Sequence, residues 1–142
     1  MTMLKQLISQ RQNLQEQADT KIAELEQFLT NNNIEEEILV TFRYTGSLSM
    51  KPIPPNVGRA KDARYISFGW SSDKEDEWCL VCNDSQNYHR RMLRLSSAEN
   101  YYKLAFVERI GVFLERMETW LFNSNDLVEK GMETLDTFIG DK

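Results

Sequence analysis

The segment EILVTFRYT, Glu37–Thr45, decides how the rest of the chain is interpreted. Its large apolar and aromatic side chains, Ile38, Val40, Phe42 and Tyr44, recur at every second residue. Successive side chains of a strand point to opposite faces of a sheet, so this spacing predicts a β-strand with one buried face. A buried strand face needs a covering layer, which must come from elsewhere in the chain.

Three later segments have the same period of two residues. They predict three further strands at Ala63–Trp70, Glu77–Asn83 and Tyr88–Leu95. The short polar links between them, 71–76 and 84–87, are typical of antiparallel hairpins. The region 37–95 is therefore predicted to form a four-stranded antiparallel sheet. The proline-rich segment 46–62 is predicted as one long loop, and such loops in compact domains are usually functional or mobile.

A long helix is predicted before the sheet. Residues 1–30 contain no glycine or proline, and apolar side chains follow one another from Leu4 to Phe28 at three- and four-residue steps. Three consecutive asparagines, Asn31–Asn33, are expected to end it, because asparagine favours turns. A helix of this length is longer than a small domain needs. We therefore expect part of it to pack on a second copy of the chain.

Two further helices are predicted after the sheet, within residues 97–139. Ser96 and Glu99 have the spacing of a capping box, which favours a helix start there. Apolar side chains from Phe106 to Trp120 again follow three- and four-residue steps. The polar run Asn123–Asp126 is predicted to divide the region into two helices. These stripes, together with that of the first helix, predict a homodimer built through helices.

The order helix, four strands, helix, helix predicts a single α+β domain over residues 1–142. That length is sufficient to bury a core without disulfides or a metal. The order of elements resembles that of small adaptor domains and of acidic secretion chaperones. Because no motif is shared with either, the resemblance implies no site residues.

Charge is distributed unevenly along the chain, which has a net charge of −5. Residues 1–37 hold three basic and seven acidic residues, and residues 96–142 hold five and nine. The middle segment, 38–95, holds nine basic and six acidic residues, a balance of +3. There is thus no overall positive field to attract nucleic acid or anionic lipid, while the middle segment is mildly basic.

No membrane partner is expected, since no apolar run approaches the roughly 18 residues that a membrane-spanning helix needs. The first residues, Met1–Gln17, have no unbroken apolar stretch and are not predicted to be a signal peptide. Two cysteines in a chain without an export signal favour a reducing compartment. The predicted location is therefore the cytoplasm.

Cys79, Cys82 and His89 are the residues that most resemble metal ligands. In a strand, however, residues three apart point to opposite faces, so the two thiols are expected to diverge. The two cysteines are therefore interpreted as small sheet residues. No nucleophile, phosphate-loop or metalloprotease motif accompanies His89. We predict no catalytic residues, no metal, no cofactor and no enzymatic activity.

The candidate binding site is a set of basic and aromatic residues on the sheet face opposite the core. Arginine side chains are suited to forked recognition of phosphate or carboxylate groups. An ordinary solvated sheet face is the alternative interpretation of the same residues. The predicted site comprises Arg43, Tyr65, Tyr88, Arg90 and Arg94 on the strands, with Arg59 and Lys61 approaching from the long loop.

Three classes of function are compatible with the sequence. The first is a non-enzymatic protein-interaction module, that is, an adaptor, chaperone or inhibitor that occupies a partner's surface. The second is binding of a small anionic ligand, a nucleotide or a nucleic acid through the arginine-bearing sheet face. The third is an enzyme of an unfamiliar type. The apolar helix stripes and the missing catalytic set favour the first class.

Overall fold

The structure is a computed structural model that describes residues 2–46, 49–53, 63–72, 77–86 and 92–140. It confirms an α+β fold with a long N-terminal helix, an antiparallel sheet and two C-terminal α-helices. The elements are α1 Thr2–Asn31, β1 Ile38–Gly46, β2 Ser49–Pro52, β3 Tyr65–Ser72, β4 Trp78–Asp84, β5 Leu93–Arg94, a 3-10 turn Leu95–Ser97, α2 Asn100–Glu108 and α3 Ile110–Gly140.

The five strands lie in the order β2-β1-β3-β4-β5, and all neighbours are antiparallel. Val40 lies opposite Phe68, which in turn lies opposite Cys82. Because paired residues share a face, the alternating apolar side chains of three strands form one surface. The helices cover that surface and make it the core. All four predicted strand segments contribute to the sheet, although the last contributes only Leu93–Arg94.

The segment 46–62, predicted as one loop, begins with an additional strand, β2. Its residues Ser49–Pro52 extend the hairpin from β1, with Phe42 opposite Pro52. Pro52 made the prediction of a strand unfavourable, because proline cannot donate a hydrogen bond to a neighbouring strand. β2 lies at the edge of the sheet, where proline is tolerated. The rest of the predicted loop, 54–62, lies outside the described residues.

A chain of aromatic rings runs through the core from the sheet to the helices. Phe42 on β1 meets Phe68 on β3 edge to face, with ring centroids 6.1 Å apart. Phe68 meets Phe106 on α2 at 5.5 Å, and Phe106 meets Phe113 on α3 at 5.2 Å. Edge-to-face pairs contribute about 0.5–1.5 kcal/mol beyond the area that they bury. These contacts fix α2 and α3 on the sheet.

The two C-terminal helices are present, but they meet at Arg109 and not at 123–126. The chain bends at Arg109 (φ −113°, ψ 17°), and the bend lets Phe106 and Phe113 face the same core. The run Asn123–Asp126 stays helical, because it contains no glycine or proline and the helix penalty of its residues is small. The predicted capping box of Ser96 and Glu99 is wrong: these residues precede α2, which begins at Asn100 after the 3-10 turn, and its N-cap residue Glu99 makes no side-chain capping bond.

Helix α1 ends where the asparagines predict. Asn33 adopts a left-handed conformation with φ 55°, and the Asn32 side chain donates to the Phe28 carbonyl. Only the second half of α1 packs on the body of the protein. Its buried residues are Ala18, Ile22 and Leu29.

Candidate functional site

The structure describes three of the seven residues in the predicted arginine-bearing site. Arg43 is exposed on β1 and lies opposite Tyr65, which is buried at 5% exposure. Arg94 lies opposite Val81 and forms an ion pair with Glu77 at 3.1 Å. The other four predicted residues, Arg59, Lys61, Tyr88 and Arg90, lie outside the described residues.

The sheet register separates Arg43 from Arg94. Arg94 shares a row across the sheet with Val81, Gly69 and Leu39, while Arg43 is four residues further along β1. These offsets correspond to about 13 Å along the strands and about 14 Å across three strand spacings. The described arginines on this face therefore do not converge on one ligand.

A charged cluster that the sequence does not reveal lies at one end of the core. Arg64 makes a two-pronged contact with the Asp84 carboxylate, at 3.0 Å from Nε and 2.5 Å from a terminal nitrogen. The Tyr102 hydroxyl donates to the same carboxylate at 2.8 Å, and the Arg64 guanidinium lies 4.6 Å from the Tyr44 ring centre. The cluster thus ties three strands to α2. Arg64, one of the nine basic residues of the middle segment, is therefore paired within the fold.

The pKa values of this cluster fit a structural role. Burial alone would raise the pKa of Asp84, but hydrogen bonds from Arg64, Tyr102 and the Gln86 N–H hold that pKa below its usual value. Burial and the bond to Asp84 raise the pKa of Tyr102 to about 12. Both groups are therefore fixed in one protonation state at neutral pH, which is unsuitable for general acid–base catalysis there.

A groove of about 530 Å³ lies between α1 and the sheet edge, where β5 pairs with only two residues of β4. Glu26 reaches across from α1 and accepts a hydrogen bond from the Leu80 N–H at 2.7 Å. The carboxylate thus occupies the place that a neighbouring strand's carbonyl would take. Glu77, Trp78 and Arg94 form part of the opposite wall.

Burial raises the pKa of Glu26, although the Leu80 N–H and Arg94 act in the opposite direction. The folded chain then binds this proton more tightly than the unfolded chain does. The contribution of Glu26 to stability consequently falls as the pH rises through the raised pKa. The hydrogen bond, and not the charge, is the stabilising feature of Glu26.

Substitutions at Glu26 test this interpretation. We expect Glu26→Ala to lower the free energy of unfolding by about 1–2 kcal/mol, because the buried Leu80 N–H loses its acceptor. Glu26→Gln keeps an acceptor and removes the charge, so its stability at pH 7 should equal or exceed that of the parent. Urea denaturation of both variants measures the difference. An equal loss in both variants would show that the negative charge, and not the acceptor, stabilises this edge.

Among the described residues, most of the large apolar side chains that are exposed lie on the two long helices. We call residues 2–14 the α1 extension and residues 125–140 the α3 extension, and every residue in both is exposed. Their large apolar side chains reach 70% exposure at Met3 and 76% at Phe138. The full set is Met3, Leu4, Leu7, Ile8 and Leu14 on α1, with Leu127, Val128, Met132, Leu135, Phe138 and Ile139 on α3.

Both extensions continue rows that are buried in the body of the protein. On α1, the row of the buried Ala18, Ile22 and Leu29 continues to Leu4 and Ile8 at three- and four-residue steps, interrupted by a polar residue. One face of each helix therefore passes from the core into solvent with mostly apolar side chains, interrupted on α1 by a polar residue and on α3 by Ser124 and Gly131. The corresponding row on α3 contains Phe113, Met117, Trp120, Ser124, Leu127, Gly131, Leu135 and Phe138.

A second exposed apolar area lies between the helices. A groove of about 300 Å³ separates the middle of α1 from the junction of α2 and α3. Ile22 and Leu25 form its α1 side, and Phe106, Ile110 and Leu114 form the other. Leu114 is exposed and stands in the turn that follows the bend. The apolar surface of the helices thus extends onto the body of the protein.

The two cysteines lie on opposite faces of β4, as their spacing predicts. Cys82 is opposite Phe68 in the core, and Cys79 is opposite Ser71 on the other face. Burial raises the pKa of the Cys82 thiol to about 11, which disfavours the thiolate that binds metals. Within the described ranges, no three potential metal ligands lie together.

Among the described helices, none is both long enough and apolar enough to cross a membrane. Comparison of the chain with protein-family models, curated proteins and solved structures finds no match. Function is therefore inferred from the surfaces described above.

Proposed function

We propose that this chain is a non-enzymatic protein-interaction module that binds other polypeptide chains through the α1 and α3 extensions. The observation that carries the proposal is the continuation of two buried apolar rows into solvent on the same helix faces. An adaptor, a chaperone or an inhibitor would each use such a surface. The two thiols favour a reducing compartment, so a cytoplasmic location is part of the proposal.

The amount of exposed apolar surface supports this function. The eleven large apolar side chains of the extensions present roughly 700 Å² per chain, at about 60 Å² each. Roughly half of this area lies on each extension, and a contiguous apolar patch of a few hundred Å² on a soluble monomer is often functional. A typical protein–protein interface buries about 800 Å² on each partner. Covering these two surfaces would therefore supply most of a stable interface.

Helix stability points in the same direction. An isolated helix shorter than about 12–15 residues is only marginally stable in water, and the two extensions are close to this length. The α3 extension has sixteen residues and contains Gly131 in its middle, which lowers its intrinsic helix propensity further. Its helical conformation would gain stability from packing on another chain. A second copy of this chain can provide that packing, so a homodimer through helices is part of the proposal.

The alternative function, anionic-ligand binding on the arginine-bearing sheet face, receives less support. Arg94 is already paired with Glu77, and Arg64 is paired with Asp84 inside the fold. Arg43 is exposed and lies four residues along β1 from the row that contains Arg94, as the register shows. Binding at this face stays a hypothesis that depends on residues outside the described ranges.

Site-specific photo-cross-linking tests the proposed function even while the partner is unidentified. We expect a photoreactive phenylalanine analogue at Leu7 or at Leu135 to give covalent adducts with protein chains in the native cells. The same analogue at Glu36, which is exposed between α1 and β1, is the matched control and should give few adducts. Equal or absent labelling at all three positions would contradict the proposal.

A further inference from the structure

We propose that the two extensions bind each other in trans, so that the α1 extension of one copy packs on the α3 extension of a second copy. The arrangement is reciprocal and forms a closed homodimer with two identical helix–helix contacts. This inference rests on the proposed function and adds that the α1 extension is complementary to the α3 extension.

The charges of the extensions select this pairing. The α1 extension contains Lys5 and Arg11 and no acidic residue, a balance of +2. The α3 extension contains four acidic residues and one basic residue, Lys130, a balance of −3. Two α1 extensions would repel one another, and so would two α3 extensions. Only the mixed pair has opposite charges on its two helices, and the like charges of the other two pairs disfavour them.

Pairing within one chain does not occur in this structure. Every residue of both extensions is exposed, so neither extension covers the other. The two long helices are also not packed along one another. Their buried halves contact other elements, with α1 against α2 and β4 and with α3 against β1 and α2. Each copy therefore offers one positive and one negative apolar helix to a second copy.

Two-fold symmetry then completes the assembly. A two-fold axis makes the same surface of both copies self-complementary, so the α1–α3 contact is formed twice. Each copy buries both of its extensions and presents no further apolar helix for growth into a filament. With roughly 700 Å² of apolar surface per copy, the total of about 1,400 Å² falls within the range of stable interfaces.

Two charge-reversal variants test the pairing. The first, Lys5→Glu/Arg11→Glu, changes the α1 extension from +2 to −2. The second, Glu129→Lys/Glu133→Lys, changes the α3 extension from −3 to +1. Each variant alone places like charges in both helix contacts. We expect each to raise the dimer dissociation constant about tenfold or more at low salt, as measured by light scattering over a concentration series.

An equimolar mixture of the two variants gives the decisive result. Each α1–α3 contact of the mixed dimer again has opposite charges, so the mass of two 16.7 kDa chains should return. If α1 paired with α1, the second variant alone would remain dimeric, since its α1 extension is unchanged. If α3 paired with α3, the first variant alone would remain dimeric. Either result would overturn the reciprocal pairing.

A matched control and the parent protein complete the experiment. Glu36→Lys/Glu37→Lys makes the same change of charge at exposed positions before β1, and its assembly should equal that of the parent. Circular dichroism should show the same helix content for all variants in the dimeric state. A parent chain that stays monomeric at about 100 µM would refute the inference. Adducts with other proteins at Leu7 and Leu135 would still support the proposed function in that case.

Discussion

Replacing Asp84 by alanine is expected to lower the free energy of unfolding by about 3 kcal/mol. The Asp84 side chain is 3% exposed and accepts hydrogen bonds from Arg64, from the Tyr102 hydroxyl and from the Gln86 N–H. Its removal leaves the Arg64 guanidinium without its counter-charge and the Tyr102 hydroxyl without its acceptor. Breaking a buried pair costs about 3–5 kcal/mol, and the 26% exposure of Arg64 places this case at the lower end.

Urea denaturation at one fixed protein concentration measures this loss, because assembly would otherwise shift the midpoint. Tyr102→Phe is the matched control, since it deletes one hydrogen bond to the same carboxylate and leaves the ion pair intact. We expect that variant to lose about 1 kcal/mol. A loss of less than about 1 kcal/mol in Asp84→Ala would contradict the structural role of the cluster.

The same cluster should govern the response to acid. The pKa of folded Asp84 lies below its ordinary value, so the carboxylate contributes stability above the unfolded pKa. That contribution is lost as the pH falls through the folded pKa. The Asp84→Ala variant should therefore lose less stability between pH 5 and pH 2 than the parent does. Glu26 acts in the opposite sense, because its pKa is raised.

Local patterns in the sequence predicted the elements whose apolar residues recur at a regular spacing. The alternation in β1, β3 and β4 and the apolar stripe of α1 each follow from the face that the core requires. Asn33 marks the end of α1 because its left-handed conformation is one that asparagine tolerates. In each case a signal within a few residues carried the information.

Contacts between residues that are distant in the sequence could not be predicted from such local patterns. Arg64 and Asp84 are twenty positions apart, and Glu26 and Leu80 are fifty-four apart, so both pairs depend on register and helix placement. The bend at Arg109 has no glycine or proline at that residue and follows from the packing of Phe106 and Phe113 on one core. Strand β2 was not predicted, because Pro52 is a residue type that is more common in loops than in strands.

The candidate interaction surface was predictable in part. The spacing of apolar residues indicated that the long helices have an apolar face, and the length of α1 led to the expectation, still a prediction, that part of it packs on a second copy. The sequence did not show which half of each helix the body covers. That division depends on the folded body of the protein, which covers residues of α1 only from Gln15 onward and residues of α3 only up to Ser124. The opposite charges of the two uncovered halves became informative only once the structure had identified those halves.

Substitution of Gly69 is expected to give the second large loss of stability, because β1 and β3 approach each other closely at this residue. Glycine normally weakens a strand, so its position in the middle of β3 requires a structural reason. A Cβ added there would lie 2.5 Å from the Ile38 carbonyl oxygen and 3.0 Å from a methyl carbon of Leu39. The first of these atoms belongs to the backbone of β1, so only a shift of the strand itself would relieve the overlap.

We therefore expect Gly69→Ala to lower the free energy of unfolding by about 2–3 kcal/mol, the cost of overpacking a site without free volume. Gly111→Ala is the matched control, because a Cβ at that exposed position of α3 meets nothing within 4 Å. Its stability should equal or exceed that of the parent by up to about 1 kcal/mol, because alanine has the higher helix propensity. Because β1 must move away from β3 to admit the methyl group, amide hydrogen exchange should also accelerate at the β1–β3 ladder in Gly69→Ala. Unchanged exchange at that ladder would show that the methyl group is accommodated without separating the strands.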